Sequence, residues 1–346
     1  MQLHKQAYGF DAETQEFSDG IVDMFLGIRA GHLGRYCFSS AYDEKDSVRG
    51  DEHWTKFIGS SQSYYPYRHE LEIIREASQQ IGQLVADADT FVDLGTGSLG
   101  SFEGKVLPIL RNGNFRKLIF VDLCTAFADL AADRLKQESL HIGTSAFIAN
   151  FFNQLPVLSS KSVINLFGIT LGNFIVDLPR ETPEQGLERA MRHFAAPLAK
   201  HGGYFVFDYD TNEDERSIHA CYDHPSYHAM EMTILERVKR DLPTQGFEPS
   251  DFEHVTVWYP QWNLLAQELR AKRAVRFRLG PHMIALAEGT SFRTGSSFKY
   301  SDSLIEAAAS KAGLVKMQVD SLPGSTMRVA VYGMKRPSLA QILRRP

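Results

Sequence analysis

Hydrophobic and polar positions fall into two regimes along this chain. Between about residues 69 and 208, short apolar runs alternate with stretches whose apolar residues recur every three or four positions. Residues 69–86 carry the helical spacing, and Thr90-Phe91-Val92-Asp93-Leu94 follows as a short buried strand entering a glycine turn. The alternation continues with a helix over 99–111, a strand over 118–122, a helix over 127–137, strands over 145–149 and 162–168, a helix over 184–199 and a strand over 203–208. Strands separated by helical segments predict βαβ units and a mostly parallel sheet. After Tyr209 the rhythm changes. Residues 213–242 read as helical with a break at Pro225, 252–259 and 274–279 alternate as strands, and 262–270 fits a strand or, over 264–269, a helix. A helix over 301–312 and a closing strand pair at 315–319 and 327–334 return to the first rhythm. At the amino end, 18–33 fits a short helix and 40–49 a polar loop. The predicted fold is α/β, with one Rossmann-like domain from 76–212 and 301–336 and a second lobe from 1–75 and 213–300.

Composition narrows the function without naming it. The 346 residues are 43% hydrophobic, ample for a large core. Thirty-seven Lys and Arg against 42 Asp and Glu give a net charge of -5 with no basic block, which points away from nucleic acid. The cysteines, Cys37, Cys124 and Cys221, form no CxxC pair, so neither a metal site nor a disulfide framework is expected. The amino terminus lacks a signal-peptide pattern, and no apolar run reaches the ~20 residues of a membrane span. The expectation is a cytoplasmic protein that does not bind membranes and acts on a small molecule; oligomeric state is not readable.

Candidate chemistry begins at Asp93-Leu94-Gly95-Thr96-Gly97, between a strand and a helix. Glycines allow a tight turn and let a cofactor approach the main chain. Asp122 ends the next strand, 27 residues after Gly95, where a carboxylate can accept from both hydroxyls of a ribose. These residues by themselves admit a nicotinamide dinucleotide as well as a sulfonium nucleoside. The form Asp-Leu-Gly-x-Gly resembles the first motif of class I methyltransferases, which need not accommodate a pyrophosphate.

Three further segments carry a broader resemblance: Tyr64-Tyr65-Pro66-Tyr67-Arg68-His69-Glu70, Leu166-Phe167-Gly168-Ile169-Thr170-Leu171-Gly172-Asn173-Phe174, and Arg293-Thr294-Gly295-Ser296-Ser297-Phe298-Lys299-Tyr300. In order and spacing they resemble the histidine-specific, S-adenosylmethionine-dependent methyltransferase family, which includes the histidine Nα-methyltransferase of ergothioneine biosynthesis and the dimethylallyltryptophan N-methyltransferases. The resemblance runs from about residue 54 to 334. It implies S-adenosylmethionine as cofactor, held by Gly95, Gly97, Asp122, Asn150 and Phe151, with Tyr65, or its neighbour Tyr64, closing the pocket. Asn150 stands where the family has Asp and would accept from the exocyclic amine of adenine. Asn173 and Tyr222 would grip the amino-acid end of the substrate and orient its amine. Gly295 and Ser297 would line the rest of the substrate pocket.

Gly295 replaces the Glu with which the family's histidine methyltransferase holds imidazole. An imidazole N–H left without that partner costs about 1–3 kcal/mol. The expected substrate is therefore an amino acid or derived metabolite other than histidine, with Gly295 making room for a larger or less polar group beside Ser296, Phe292 and Phe298. The expected reaction is N-methylation by in-line displacement, without metal or covalent intermediate. Two alternatives use the same fold: a SAM-consuming cyclase or aminocarboxypropyl-type enzyme that releases methylthioadenosine, and a non-catalytic SAM-binding module. His69, His224 and His282 are expected to be structural. Asp208 and Asp210, at a strand end, fit either the cleft or a loop.

Overall fold

The computed structural model describes residues 10–31, 33–37, 50–60, 63–122, 126–174, 178 and 180–335. The predicted loop at 40–49 and Cys124 lie outside them. The chain opens with α1 (Phe10–Phe25), α2 (Gly50–Ser60) and α3 (Tyr65–Leu84), and then enters β1 (Thr90–Leu94). The first helix begins and ends earlier than its pattern predicts, because Gly27 stops it. With φ +70 that residue supports a Schellman cap, in which Ile28 N donates to Asp23 O (2.8 Å) and Gly27 N to Met24 O (3.0 Å).

The helix expected at 99–111 is broken into α4 (Leu99–Ser101), a π turn (Phe102–Val106) and α5 (Leu107–Leu110). Pro108 is the cause: it has no N–H for the Gly104 carbonyl and its ring crowds that group. The turn instead closes with Leu107 N on Phe102 O. From there β2 (Lys117–Asp122), α6 (Ala126–Gln137), β3 (Gly143–Ile148), β4 (Ser162–Leu166), α7 (Pro183–Ala195) and β5 (Gly203–Asp210) follow the predicted alternation. Next come α8 (Glu215–Tyr222) and α9 (Pro225–Asp241), separated at Pro225, then β6 (Thr244–Gln245), β7 (Phe252–Tyr259), β8 (Leu264–Ala271), β9 (Val275–Leu279), β10 (His282–Leu286) and β11 (Ser291–Phe298). The chain closes with α10 (Asp302–Lys311, capped by the Ser301 hydroxyl), β12 (Leu314–Asp320) and β13 (Met327–Met334).

One seven-stranded sheet runs β12-β13-β5-β4-β1-β2-β3, parallel from β5 to β3 and antiparallel at the β13 and β12 edge. Its strands are covered on both faces, as a parallel sheet requires. Phe91, Phe120, Val163 and Val206 enter one core, while their neighbours Val92, Ile119, Ile164 and Phe205 enter the other. This is the Rossmann-like α/β fold, with its switch point between β1 and β4, where such sheets bind ligands at the carboxyl ends of the strands. A second body of structure holds two three-stranded antiparallel sheets, β11-β8-β7 and β10-β9-β6. A third core fills it, built from α1, α8, α9 and one face of β7 and β8. The ambiguous segment at 264–269 is the central strand of its sheet. α3 links the two bodies: Tyr64, at its N-cap, packs into the third core, and Ile73, Ile74, Ala77 and Ile81 pack on the seven-stranded sheet. The divide expected at 75/76 thus falls within a continuous helix. Among the described residues no helix is long and apolar enough to cross a membrane.

Candidate active site

At the carboxyl end of β1 the chain turns through Gly95 (φ +68) and Gly97 (φ +73), a conformation that penalises any side chain with a Cβ. A Cβ on Gly95 would also stand 3.0 Å from the Phe151 ring, whereas one on Gly97 meets only Gly95 O at 3.8 Å. The turn is braced from below. Asp93, 2% exposed, accepts from Asn165 Nδ2 (2.8 Å) and from the Thr96 hydroxyl. Burial raises its carboxyl, and those two donors oppose the rise. Gly95 N donates to Val121 O (2.9 Å), and Ala149 N to Asp122 O (3.2 Å), so the ends of β1, β2 and β3 are tied together.

Gly95, Gly97, Asp122, Asn150 and Phe151 therefore gather at the carboxyl ends of β1, β2 and β3. Asn150, 4% exposed, differs in detail. Its Oδ1 already accepts from Phe152 N (3.1 Å), and the atom without a partner is Nδ2. The open end of this amide is a donor, suited to a purine ring nitrogen more than to an exocyclic amine. The donor set fits a nucleoside: a carboxylate for ribose hydroxyls, an unpaired buried amide for a base, and a glycine turn open at Gly97.

Under the turn lies a buried charged cluster that the sequence reading did not include. Lys105, on the π turn, pairs with Glu70 Oε2 (2.5 Å). Glu70 Oε1 accepts from Gly168 N (2.9 Å), and both Asp208 oxygens accept from Ile169 N (2.9 Å). These bonds fix the loop after β4, where Ile169 takes a left-handed φ of 52. Burial and the nearby Glu70 raise Asp208 well above the ordinary carboxylate range. Burial would lower Lys105, but Glu70 and Asp208 more than offset it.

The same loop ends in a 3-10 turn, Thr170–Asn173, which sits directly on β11. A Cβ on Gly172 would fall 2.6 Å from Phe298 O, so only glycine allows this approach. Asn173, next in sequence, is exposed. Two residues 126 positions apart in sequence, one in each motif, meet at this contact.

On β11 the side chains alternate. Ser296 and Phe298 pair with Ala266 and Leu264, which face the seven-stranded sheet; Gly295 and Ser297 pair with Gln267 and Leu265, which face the third core. Ser297 Oγ accepts from Lys299 Nζ (3.3 Å) and lies on the side of β11 toward Tyr222, which is buried at the end of α8. Burial raises the Tyr222 phenol, while Lys299 opposes the rise, with its Nζ 5.7 Å from the Tyr222 ring centroid. Tyr64, rather than Tyr65, is the ring against Tyr222, with centroids 5.6 Å apart. Tyr65 donates to Asp210 Oδ2 (2.5 Å) and accepts from Asn212 Nδ2 (2.8 Å). Asp210 also takes Thr326 Oγ1 (2.7 Å) and pairs with Lys299 Nζ at 3.0 Å, both side chains being 1% exposed. Burial alone would raise Asp210, but Lys299, Tyr65 and Thr326 outweigh it and hold the carboxyl below its ordinary range. Tyr65 thus sits in the seam between the two bodies, with its hydroxyl tied to β5.

Gly295 does not border a void on every side. A side chain there would meet Gln267 (Cγ at 3.5 Å) and the backbone of Gly34 (Cα at 3.8 Å). His69 Nδ1 lies 2.9 Å from Ser325 Oγ, and His224 accepts from Ser226 N at the start of α9 (3.2 Å). Roles for Glu70, Lys105 and Lys299 were missed, and Asp208 and Asp210, left open between cleft and loop, are buried in the site. The available signal was charge inside apolar runs: Asp208 and Asp210 interrupt a strand whose every residue is buried, and a buried charge needs a partner.

The chain is 28% identical over 140 residues to 4-dimethylallyltryptophan N-methyltransferase easF of Trichophyton verrucosum, a match spanning 37% of this chain and 40% of that protein. It is 22% identical over 303 residues to 4-dimethylallyltryptophan N-methyltransferase ifgB of Penicillium roqueforti, spanning 80% of this chain and 84% of that one. A solved S-adenosylmethionine-dependent methyltransferase from Clostridium acetobutylicum superposes with a TM-score of 0.42 at 10% identity, covering 82% of this chain and 97% of that one. The sequence profile of one family, histidine-specific methyltransferase, SAM-dependent, matches residues 39–333. With most of its length inside that match, the chain belongs to the family of histidine-specific, S-adenosylmethionine-dependent methyltransferases.

Proposed function

We propose that this protein transfers a methyl group from S-adenosylmethionine to the amine of a small amino acid or amino-acid-derived metabolite other than histidine. The observation that carries the reading is the Gly172–Phe298 contact. It brings the Asn173 turn, anchored on the sheet that bears the glycine turn, against the strand that carries Ser297 beside Tyr222. Relatives named for N-methylation of dimethylallyltryptophan support an amino-acid-derived acceptor. Gly295 in place of a carboxylate argues against histidine. We assign cofactor binding to 76–212 with 301–336, and the substrate to 1–75 with 213–300.

When bound, the cofactor supplies an activated methyl group for in-line displacement. The chain's own residues supply position and environment. Gly95, Gly97, Asp122, Asn150 and Phe151 hold the nucleoside. Asn173, Tyr222 and Ser297 orient the amino-acid end. Alignment of this kind contributes about 7–11 kcal/mol when the reacting atoms are near attack geometry. An α-amine has a pKa near 8, so the neutral amine is accessible near neutral pH without a strong base. Tyr64, Tyr222, Tyr227, Phe57 and Trp54 pack ring to ring and exclude water from this side.

Incubation with methyl-labelled S-adenosylmethionine and an amino-acid library tests the proposal. The expected outcome is a labelled amine and S-adenosylhomocysteine without added divalent metal. Methylthioadenosine with no labelled amine would show cyclisation or aminocarboxypropyl transfer instead.

A further inference from the structure

Beside Gly295 lies a polar relay with one open end. Gln267 on β8 is 4% exposed, and its Oε1 lies 2.9 Å from His254 Nε2. His254 Nδ1 lies 2.8 Å from His228 Nδ1, and His228 Nε2 lies 3.3 Å from Asp223 Oδ1. Burial lowers His254 to about 4, so the ring is neutral and carries one N–H. With the amide in this orientation that N–H is on Nε2 and donates to Gln267 Oε1, and the amide Nε2 has no partner. A buried donor left unpaired costs about 1–3 kcal/mol, so its retention asks for an explanation.

The surroundings of Nε2 supply one. Directly across the strand pair, on the same face, stands Gly295, which offers no side chain. Its φ is not in the left-handed region, and a Cβ there would make only ordinary contacts of 3.5 to 3.8 Å. Gly34 faces it under the same conditions, its own Cβ position 3.5 Å from Gly295 Cα. Neither backbone shape nor collision demands glycine at either place, although glycine weakens a strand. The nearby Glu231 carboxyl accepts from Cys37 Sγ (3.7 Å), and the Thr294 hydroxyl donates to Gln267 O (3.1 Å). Two buried side-chain atoms near Gly295 lack a hydrogen-bond partner, Gln267 Nε2 and Ser296 Oγ; Ser296 pairs with Ala266 on the opposite face of the strands, so on the face that Gly295 shares with β8 the open group is Gln267 Nε2.

We infer that Gln267 determines specificity, its Nε2 donating to a carbonyl or carboxylate at the end of the substrate remote from the amine. The substrate class is an amino acid whose side chain carries such an acceptor. The inference rests on the reading that Tyr222 and Ser297 hold the amino-acid end.

The test uses the full chain with S-adenosylmethionine and two sets of amino acids: glutamine, glutamate and kynurenine, against norleucine, ornithine and phenylalanine. Formation of S-adenosylhomocysteine gives kcat/KM, and calorimetry on protein saturated with S-adenosylhomocysteine gives binding. Acceptor-bearing side chains are expected to lead by about tenfold, the worth of one buried hydrogen bond. Gln267→Met closes the gap by weakening that set alone. Gln267→Glu, which keeps an acceptor for His254, moves the preference to ornithine. Both variants retain wild-type affinity for S-adenosylhomocysteine, which reports an intact fold. Reaction without preference, or a gap that survives Gln267→Met, overturns the role of Gln267 and leaves amine methylation standing. Neither binding nor turnover with any of the six overturns both.

Discussion

Among the described residues two lysines are buried, one in each half of the candidate site, and their surroundings differ in charge. Lys105, below the glycine turn, faces two carboxylates, Glu70 and Asp208. Lys299, in the seam, is paired with one, Asp210. One cation cannot neutralise two buried anions, so Asp208 is driven up toward its protonated form; Asp210 is held ionised. The cofactor half therefore has a carboxyl to spare, which serves to fix the loop at Ile169. In the seam each member of the ion pair depends on the other.

The sharpest way to break this comparison is to neutralise each acid in turn. Asp210→Asn strands Lys299 in the interior and is expected to lower unfolding free energy by about 3–5 kcal/mol in urea titrations. Asp208→Asn, which keeps an acceptor for Ile169 N, is expected to change it by less than about 1 kcal/mol at neutral pH. Equal losses would dissolve the distinction. The acids also separate by pH. The folded pKa of Asp210 lies below its unfolded value, so its contribution is full above about 3.9 and fades as pH falls through the lower folded value. Asp208 is raised, so its contribution is full at low pH and is lost as pH rises above about 3.9. Asp208→Asn should flatten that limb of the stability profile and leave the other unchanged.

A smaller effect sharpens the picture of the substrate half. His254 is kept neutral when folded, so the unfolded chain binds more protons between about 6.5 and about 4. Stability is expected to fall by about 2–3 kcal/mol as pH drops through that window. His254→Gln, which cannot titrate, should remove most of that slope in thermal melts. Next, Gly172→Ala forces a Cβ against Phe298 O and is expected to cost about 1–3 kcal/mol while raising KM for the amine more than that for the cofactor. Smallest in stability, Asp122→Ala should leave folding nearly unchanged but weaken S-adenosylmethionine at least about tenfold by calorimetry.

The cofactor half was the more legible in sequence. Its signal is local: a strand, a glycine pair and an acid on the next strand are written within 33 residues, Thr90 to Asp122, and need no knowledge of distant packing. The βα alternation gave the sheet for the same reason. Where a local rule was overlooked, the error was local too, as with Pro108 and the π turn, or Gly27 and the end of α1. The substrate half depends on residues far apart in the chain. Tyr64 and Tyr65 are adjacent, yet one packs on Tyr222 and the other binds Asp210. Gln267 looks like an ordinary strand residue until β7, β8 and β11 are laid side by side. Position 295 could be read as lacking a carboxylate, but not as lying against Gly34, because that contact joins segments more than 250 residues apart.

The central claim is methyl transfer to an amine by a chain whose glycine turn and Tyr222 face act on one substrate. Mass spectrometry of the products formed from S-adenosylmethionine and an amino-acid mixture tests it most directly. The account predicts S-adenosylhomocysteine together with an amino acid heavier by whole methyl groups on nitrogen. Methylthioadenosine, or S-adenosylmethionine recovered intact from every mixture, would contradict it.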